Sequence, residues 1–113
     1  MGRGTFLGEL EQLVLLAVAR LGDEAYGMSI RREIAERTSR DVAIGAVYSA
    51  LDRMERKGHV SSRVGEPTAE PGGRARRYYR MEASGRAALK RSLDIINNLL
   101  DGLELDASPD RRP

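Results

Sequence analysis

The chain of 113 residues contains no cysteine and no tryptophan, and His59 is its single histidine. Without cysteine there is no disulfide framework, no thiolate zinc site and no cysteine nucleophile, and a reducing compartment such as the cytoplasm is expected. One histidine among scattered carboxylates offers too few ligands for a metal site. No glycine-rich phosphate-binding loop follows a predicted strand, so the sequence supports no enzyme class and predicts no cofactor.

Long hydrophobic runs are also missing. The apolar run at residues 13–19 is too short to span a bilayer and follows Glu9 and Glu11, so we expect neither a membrane helix nor a signal peptide. A chain of this length is sufficient for one domain with a modest core. The sequence therefore predicts a soluble intracellular protein without a membrane partner.

Charge is unevenly distributed, although the formal net charge is only +2. Residues 74–91 contain seven basic side chains and one acidic one, whereas residues 92–108 contain four acidic side chains and no basic one. The net charge alone indicates no particular partner. The basic middle of the chain is the part that favours a polyanion.

Three segments show the spacing of amphipathic helices. The first, "FLGELEQLVLLAVARLG", is apolar on most sides, which is typical of a core helix but also fits a helix between its own domain and a second chain. A second helix, "AYGMSIRREIAERT", is followed by the short connection "SRDVA". A third, "IGAVYSALDRMERKG", ends at Gly58. The second and third helices together predict a helix-turn-helix.

After the third helix the spacing of apolar residues changes from the helical period to every second residue. "HVSSRVGE" and "RARRYYRME" alternate as strands and flank the Pro/Gly loop "PTAEPGG", which predicts a β-hairpin wing directly after the third helix. The fold class is therefore mainly α with a small β-hairpin (α+β). Residues 1–82 are predicted to form a winged helix-turn-helix domain.

The last helical segment, "SGRAALKRSLDIINNLLDGLEL", has apolar residues at spacings of four and three, which predict an a/d seam. Its members are Leu89, Leu93, Ile96, Leu100 and Leu103. We interpret residues 83–105 as a dimerisation helix, and the alternative is a helix folded back onto its own domain. Residues 106–113 are expected to be a disordered tail.

DNA binding requires an element that fits the major groove and cations on the flanking phosphates. The third helix supplies exposed positions in its first half, at Gly45, Ala46, Tyr48 and Ser49. It also supplies one long cation, Arg53. The small residues allow close approach, and the hydroxyls and the guanidinium group can contact bases or phosphates. Tyr48 fits equally well as a half-buried ring packed under the wing.

The wing carries the cations. Arg74, Arg76 and Arg77 are not interrupted by any acidic residue up to Met81, so neutralising pairs within the strand are absent. Most runs of surface charge are simply solvated. Here the uninterrupted positive charge favours a phosphate clamp.

Three segments together resemble the PadR family of transcriptional regulators, specifically short members with one C-terminal helix: "YGMSI", "IGAVYSALDRMERKGHV" and "GGRARRYYRMEASGRAAL". The resemblance covers residues 7 to 103. Its most specific parts are the run through Gly45, Tyr48, Leu51, Met54 and Gly58 and the run at residues 73–79.

The resemblance implies a winged helix-turn-helix homodimer, generally a repressor, that binds a pseudo-palindromic operator on double-stranded DNA and is released by a small-molecule effector or another signal. It places Tyr48 on the recognition helix and Tyr26 and Gly27 near the DNA backbone. It also implies that the C-terminal helix packs on the partner's first helix, and we expect Leu10 and Val14 to lie in that contact.

The sequence departs from the family pattern at several points. Ala46 stands where many members have Ser or Thr, and Glu82 stands where a capping Thr is favoured, which leaves Ser84 as the capping candidate. Some relatives bind flat aromatic drugs between tryptophans. Because this chain has no tryptophan, those relatives are poor guides to any ligand of this protein. The rival hypothesis is a winged-helix protein-interaction module, for which a neutral or acidic wing would be expected.

Overall fold

The structure, a computed structural model, describes residues 6–66 and 75–105. In chain order the elements are α1 (Glu9–Leu21), a 3₁₀ turn (Gly22–Glu24), α2 (Gly27–Thr38), α3 (Ile44–Arg56), β1 (Val60–Val64), β2 (Arg77–Met81) and α4 (Ala83–Leu100). This order confirms the predicted α+β class. In these two ranges no helix is both long enough and apolar enough to cross a membrane.

In the N-terminal part, α2 and α3 both pack against α1. Val14 and Leu15 of α1 are fully buried, as are Ile30 of α2 and Leu51 of α3, so one hydrophobic core joins all three helices. The prediction for the third helix is confirmed: its apolar residues face this core, and the helix ends just before Gly58. The first helix is a core helix of its own domain, while Leu16 on its outer side is 38% exposed.

The predicted hairpin is confirmed. β1 and β2 pair antiparallel, from Val60 opposite Met81 to Val64 opposite Arg77. The side chain of Tyr79 is buried in the core, and its backbone N–H donates a hydrogen bond of 2.8 Å to the carbonyl oxygen of Ala25. β2 is therefore hydrogen-bonded both to β1 and to the segment that precedes α2.

The start of α4 differs from the prediction. Ser84 does not cap the helix: its hydroxyl donates to the carbonyl oxygen of Gly58 at 3.0 Å. Glu82 occupies the N-cap position without a side-chain cap, because its carboxylate accepts a hydrogen bond from the hydroxyl of Ser61. These contacts attach the start of α4 to the start of the hairpin, an arrangement that only the folded chain creates.

The end of α4 also differs from the prediction. The helix ends at Leu100, and Leu103 lies beyond it, after Gly102 with a φ of 79°. No basic residue occupies the last turn, so the helix dipole is not offset there. The first half of α4 contributes Ala88 and Leu89 to the core, whereas residues 94–100 are exposed.

The first prediction concerns Gly85 of α4. At this residue α4 passes close to the backbone of His59, just before β1. A Cβ at this position would lie 2.3 Å from the carbonyl oxygen of His59, a backbone atom that cannot turn aside. We expect Gly85→Ala to lower the free energy of unfolding by about 1–3 kcal/mol, measured by urea denaturation.

The matched control is Gly45→Ala on α3, where a Cβ meets no atom within 4 Å. There the same chemical change should raise the free energy of unfolding by about 0.5–1 kcal/mol, because alanine is the better helix former. Equal stability of the two variants would contradict the close approach at Gly85.

Candidate nucleic-acid interface

The first half of α3 presents the surface predicted for reading DNA. Gly45, Tyr48 and Ser49 are exposed and Ala46 is half-buried. Open space surrounds the Cα of Gly45, so another molecule can approach the helix backbone there. This part of α3 therefore has the small profile that a major groove admits.

Tyr48 connects α3 to the start of α2. A Cβ at Gly27, the first residue of α2, would lie 2.3 Å from the hydroxyl oxygen of Tyr48, so the ring lies across the place that a side chain would occupy. Tyr48 is 46% exposed, so its ring is covered on one side only. The alternative prediction places a half-buried ring under the wing, whereas the close contact of the ring is with Gly27 of α2.

The base of the wing contains two stacked pairs of arginine and tyrosine. The guanidinium carbon of Arg76 lies 4.3 Å from the ring centroid of Tyr26, and that of Arg63 lies 4.7 Å from the centroid of Tyr78. The two rings meet edge to face with centroids 5.6 Å apart. Such cation–π contacts orient a guanidinium group without neutralising its charge. This four-residue group, Tyr26, Arg63, Arg76 and Tyr78, is called the wing-base cluster below.

Arg77 lies on the other face of β2 from Tyr78. One of its terminal nitrogens donates to the hydroxyl of Ser62 at 3.1 Å. The side chain of Arg77 lines a shallow depression together with Tyr48 and Ser49 of α3. The structure thus brings one predicted wing cation next to two predicted residues of the reading helix.

The structure does not place two further residues, Arg53 and Arg74, among the side chains that adjoin the reading helix and the wing. The Nε atom of Arg53 lies 3.3 Å from a carboxylate oxygen of Glu11, which is buried in α1, so Arg53 ties α3 to α1. Arg74 lies outside the described residues. The prediction that either one contacts DNA remains a prediction.

Arginines in the helical part differ from those in the hairpin. Arg20 and Arg37 both pair with Glu33, and hydrogen bonds from Arg37 and Arg20 hold the pKa of that carboxyl below its usual value. In contrast, Arg63 and Arg77 of the hairpin have no ion pair with any carboxylate in residues 6–66 and 75–105. The positive charge of the helical part is thus partly neutralised, whereas that of Arg63 and Arg77 is not offset by a carboxylate of the described residues.

His59 lies at the junction between α3, β1 and α4. It is buried, and its Nδ1 lies 3.0 Å from the hydroxyl of Ser84. Since that hydroxyl donates to Gly58, Nδ1 carries the proton and donates, and the buried Nε2 makes no hydrogen bond in the described part of the chain. Burial first, and then the nearby charge of Lys57, lowers the pKa of His59 below its usual value, with a smaller opposing effect from Glu11. His59 is therefore a neutral structural residue.

Arg63 of the wing-base cluster, like its partner Tyr78, is not identified as a site residue by the sequence alone. Its role depends on the register that places Arg63 directly opposite Tyr78. The strand alternation indicates that Arg63 faces outward. The sequence does not give the register across the loop between the strands, so it does not identify the partner of Arg63. Only the pairing of the two strands reveals the contact.

The helix order and the hairpin define a winged-helix protein. The chain matches the model of the transcriptional regulator PadR-like family over residues 15–91 and belongs to that family. A search of curated protein sequences found no significant match. The family assignment confirms the resemblance found in the sequence.

Solved structures agree with this assignment. A PadR family transcription regulator from Clostridium difficile R20291 is 28% identical, with a TM-score of 0.63, over 83% of this chain and 96% of that one. A PadR family transcriptional regulator from Eggerthella lenta is 26% identical, with a TM-score of 0.65, over 84% and 82%. The ORC1 protein of Aeropyrum pernix in complex with DNA is 26% identical, with a TM-score of 0.63, over 83% of this chain and 26% of that one.

The contact between Gly27 and Tyr48 generates the second prediction. Gly27→Ala should displace the ring of Tyr48 and lower the free energy of unfolding by about 0.5–1.5 kcal/mol, because the half-exposed ring can turn toward solvent. In a Tyr48→Ala background the same change should cost nothing, since the colliding ring is gone. Urea denaturation of the four proteins measures the coupling. Additive effects of the two substitutions would contradict the contact.

Proposed function

We propose that the protein is a sequence-specific DNA-binding repressor that acts as a homodimer on a pseudo-palindromic operator. The observation that carries the proposal is the depression shared by Tyr48, Ser49 and Arg77. It places hydroxyls able to contact base edges beside a cation able to contact a phosphate. Docking of α3 in the major groove would bring the wing onto the adjacent backbone.

The charge distribution supports this proposal over a protein-interaction module. Arg63 and Arg77 have no ion pair with a carboxylate of the described residues, and the wing-base cluster holds Arg76 over Tyr26, directly before the first residue of α2. Non-specific affinity for DNA arises from such cations through the release of counterions. The DNA-bound structure of the similar Aeropyrum protein gives independent support.

The second half of α4 supports a dimer. Ile96 is 52% exposed and Leu99 is 78% exposed, on a helix whose first half is packed into the domain. Ile95 and Leu100 extend this apolar surface, and Leu103 continues it beyond the helix. Contiguous apolar surface of this kind is typical of an interface. We propose that it packs on the outer side of α1 of a second copy.

The predicted interface residues divide into three groups. Val14 and Leu89 are buried in the core of their own protomer, so they support the interface from beneath. Leu10 and Leu93 are partly buried against that core and border the exposed surface. Ile96, Leu100 and Leu103 are free to contact a partner. A two-fold dimer would place the two α3 helices in successive major grooves, about 34 Å apart.

The third prediction tests the wing. If about six phosphates are neutralised per dimer, the logarithm of the affinity for duplex DNA should fall with log salt at a slope near −5. Arg76→Ala/Arg77→Ala should weaken binding to every sequence and flatten that slope to roughly −2, because about four contacts per dimer are lost. Fluorescence anisotropy with a mixed-sequence duplex over a salt series measures both quantities.

The matched control is Arg20→Ala/Arg37→Ala, which removes the same charge from the pairs with Glu33. Its slope should remain near that of the parent protein. If the two double variants behave alike, net charge rather than the wing determines binding.

The fourth prediction tests the dimer. Ile96→Glu should convert the dimer to a monomer in sedimentation equilibrium and weaken DNA binding at least tenfold, because a charge is buried in the apolar contact. Asn98→Glu introduces the same charge at an exposed polar position of the same helix and should leave the dimer intact. A dimer that tolerates Ile96→Glu would exclude this surface as the interface.

A further inference from the structure

The hydroxyl of Ser62, in the middle of β1, joins the reading helix to the wing. It donates a hydrogen bond of 2.7 Å to a carboxylate oxygen of Glu55, which lies in the last turn of α3. It accepts a hydrogen bond of 3.1 Å from a terminal nitrogen of Arg77, the first residue of β2. One hydroxyl therefore connects three elements, α3, β1 and β2.

The direction of both hydrogen bonds follows from the chemistry of the three groups. A guanidinium group can only donate and an ionised carboxylate can only accept, whereas a hydroxyl does both. The single hydroxyl proton of Ser62 thus points to Glu55, and a lone pair of its oxygen faces Arg77. An alanine at this position could bond to neither neighbour.

Glu55 and Arg77 are not paired directly, although they carry opposite charges and bond to the same hydroxyl. Neither of them forms an ion pair within residues 6–66 and 75–105. Both side chains are exposed, and a direct pair between exposed side chains is weakly stable. The two bonds to Ser62 therefore compete with direct pairing of the two charges.

This arrangement matters because Arg77 lies where DNA binding needs a cation. Its side chain and that of Glu55 line the same depression as Tyr48 and Ser49 of the reading helix. A carboxylate in this place repels DNA phosphates, and it would compete with them if it paired with Arg77. The hydroxyl of Ser62 binds the carboxylate instead and leaves Arg77 without a direct ion pair to it.

Arg77 also keeps donors for a phosphate. A guanidinium group has several N–H donors, and the bond to Ser62 uses one of them. Binding of a phosphate in the bidentate mode requires a pair of parallel N–H groups. The contact with Ser62 can therefore orient the side chain and still leave donors for DNA.

We propose that Ser62 and Glu55 are positioning residues for Arg77: their chain of hydrogen bonds holds the guanidinium group beside the reading helix and prevents Glu55 from pairing with it directly. The part that concerns DNA rests on the proposed function. The part that concerns the position of Arg77 does not, because it can be measured on the free protein.

The fifth prediction concerns Ser62→Ala in the full chain. Without the hydroxyl, Glu55 and Arg77 should pair directly, and at two sites per dimer these pairs must open before the arginines reach phosphates. Binding to a mixed-sequence duplex, measured by fluorescence anisotropy, should weaken by about threefold to thirtyfold.

Glu55→Gln provides the background that separates this effect from a general loss of structure. The amide has no charge with which to pair with Arg77, so Ser62→Ala should change the affinity for DNA less than threefold in this background. The four proteins form a thermodynamic cycle that isolates the coupling of the two residues. A loss below threefold in the parent background, or an equal loss in both backgrounds, would overturn the proposal.

Two further variants serve as controls. Ser62→Thr retains the hydroxyl and should bind DNA within threefold of the parent protein. Ser61→Ala removes the neighbouring hydroxyl of the same strand, which donates to the carboxylate of Glu82 and has no arginine partner in the described residues. It should also bind DNA like the parent protein. If either variant loses as much affinity as Ser62→Ala, the proposal is wrong.

A measurement on the free protein separates this inference from the proposed function. The order parameter of the Nε–H group of Arg77, from ¹⁵N relaxation, reports how firmly the guanidinium group is held. It should be lower in Ser62→Ala/Glu55→Gln, which removes both the hydroxyl and the carboxylate, than in the parent protein. Equal order parameters would show that Ser62 does not position Arg77. If the order parameter falls but the parent protein binds no duplex, only the proposed function fails.

Discussion

The attachment of β2 to two partners is the constraint on which the wing depends. An isolated two-stranded hairpin is marginally stable in water, so this wing requires support from the rest of the domain. Tyr79 provides it twice, through its buried ring and through the hydrogen bond from its N–H to Ala25. Because only Tyr26 separates Ala25 from α2, this bond also fixes the wing relative to the helix-turn-helix. The cations of the wing acquire a defined position only through that attachment.

A second constraint is the distribution of ion pairs. Glu11 and Glu33, on α1 and α2, pair with arginines of the helical part and connect its helices. Pairs in which the arginine is about half exposed contribute little stability, but they reduce the positive potential of the helical surface. Arg63 and Arg77 of the hairpin have no comparable pair within the described residues. A chain with a net charge of only +2 can therefore present a locally basic surface.

Two glycines show how closely the elements approach one another. At Gly27 the start of α2 leaves room for Tyr48 of the reading helix, and at Gly85 the start of α4 leaves room for the backbone of His59. The first contact connects the two helices proposed to face DNA. The second connects the hairpin to the helix proposed to form the dimer. The hairpin is therefore connected both to the segment before α2 and to the start of α4.

The sequence by itself determined the order and type of the elements, because apolar spacing and turn residues are local signals. The inward face of α3, the end of that helix before Gly58 and the two strands all follow from such signals. Tertiary structure decided what local signals do not contain. The partner of Arg63 depends on strand register, the pairing of Arg53 with Glu11 joins positions 42 residues apart, and Ser84 bonds to Gly58 rather than capping its own helix. Each of these contacts joins residues distant in sequence, so no periodicity along the chain could reveal it.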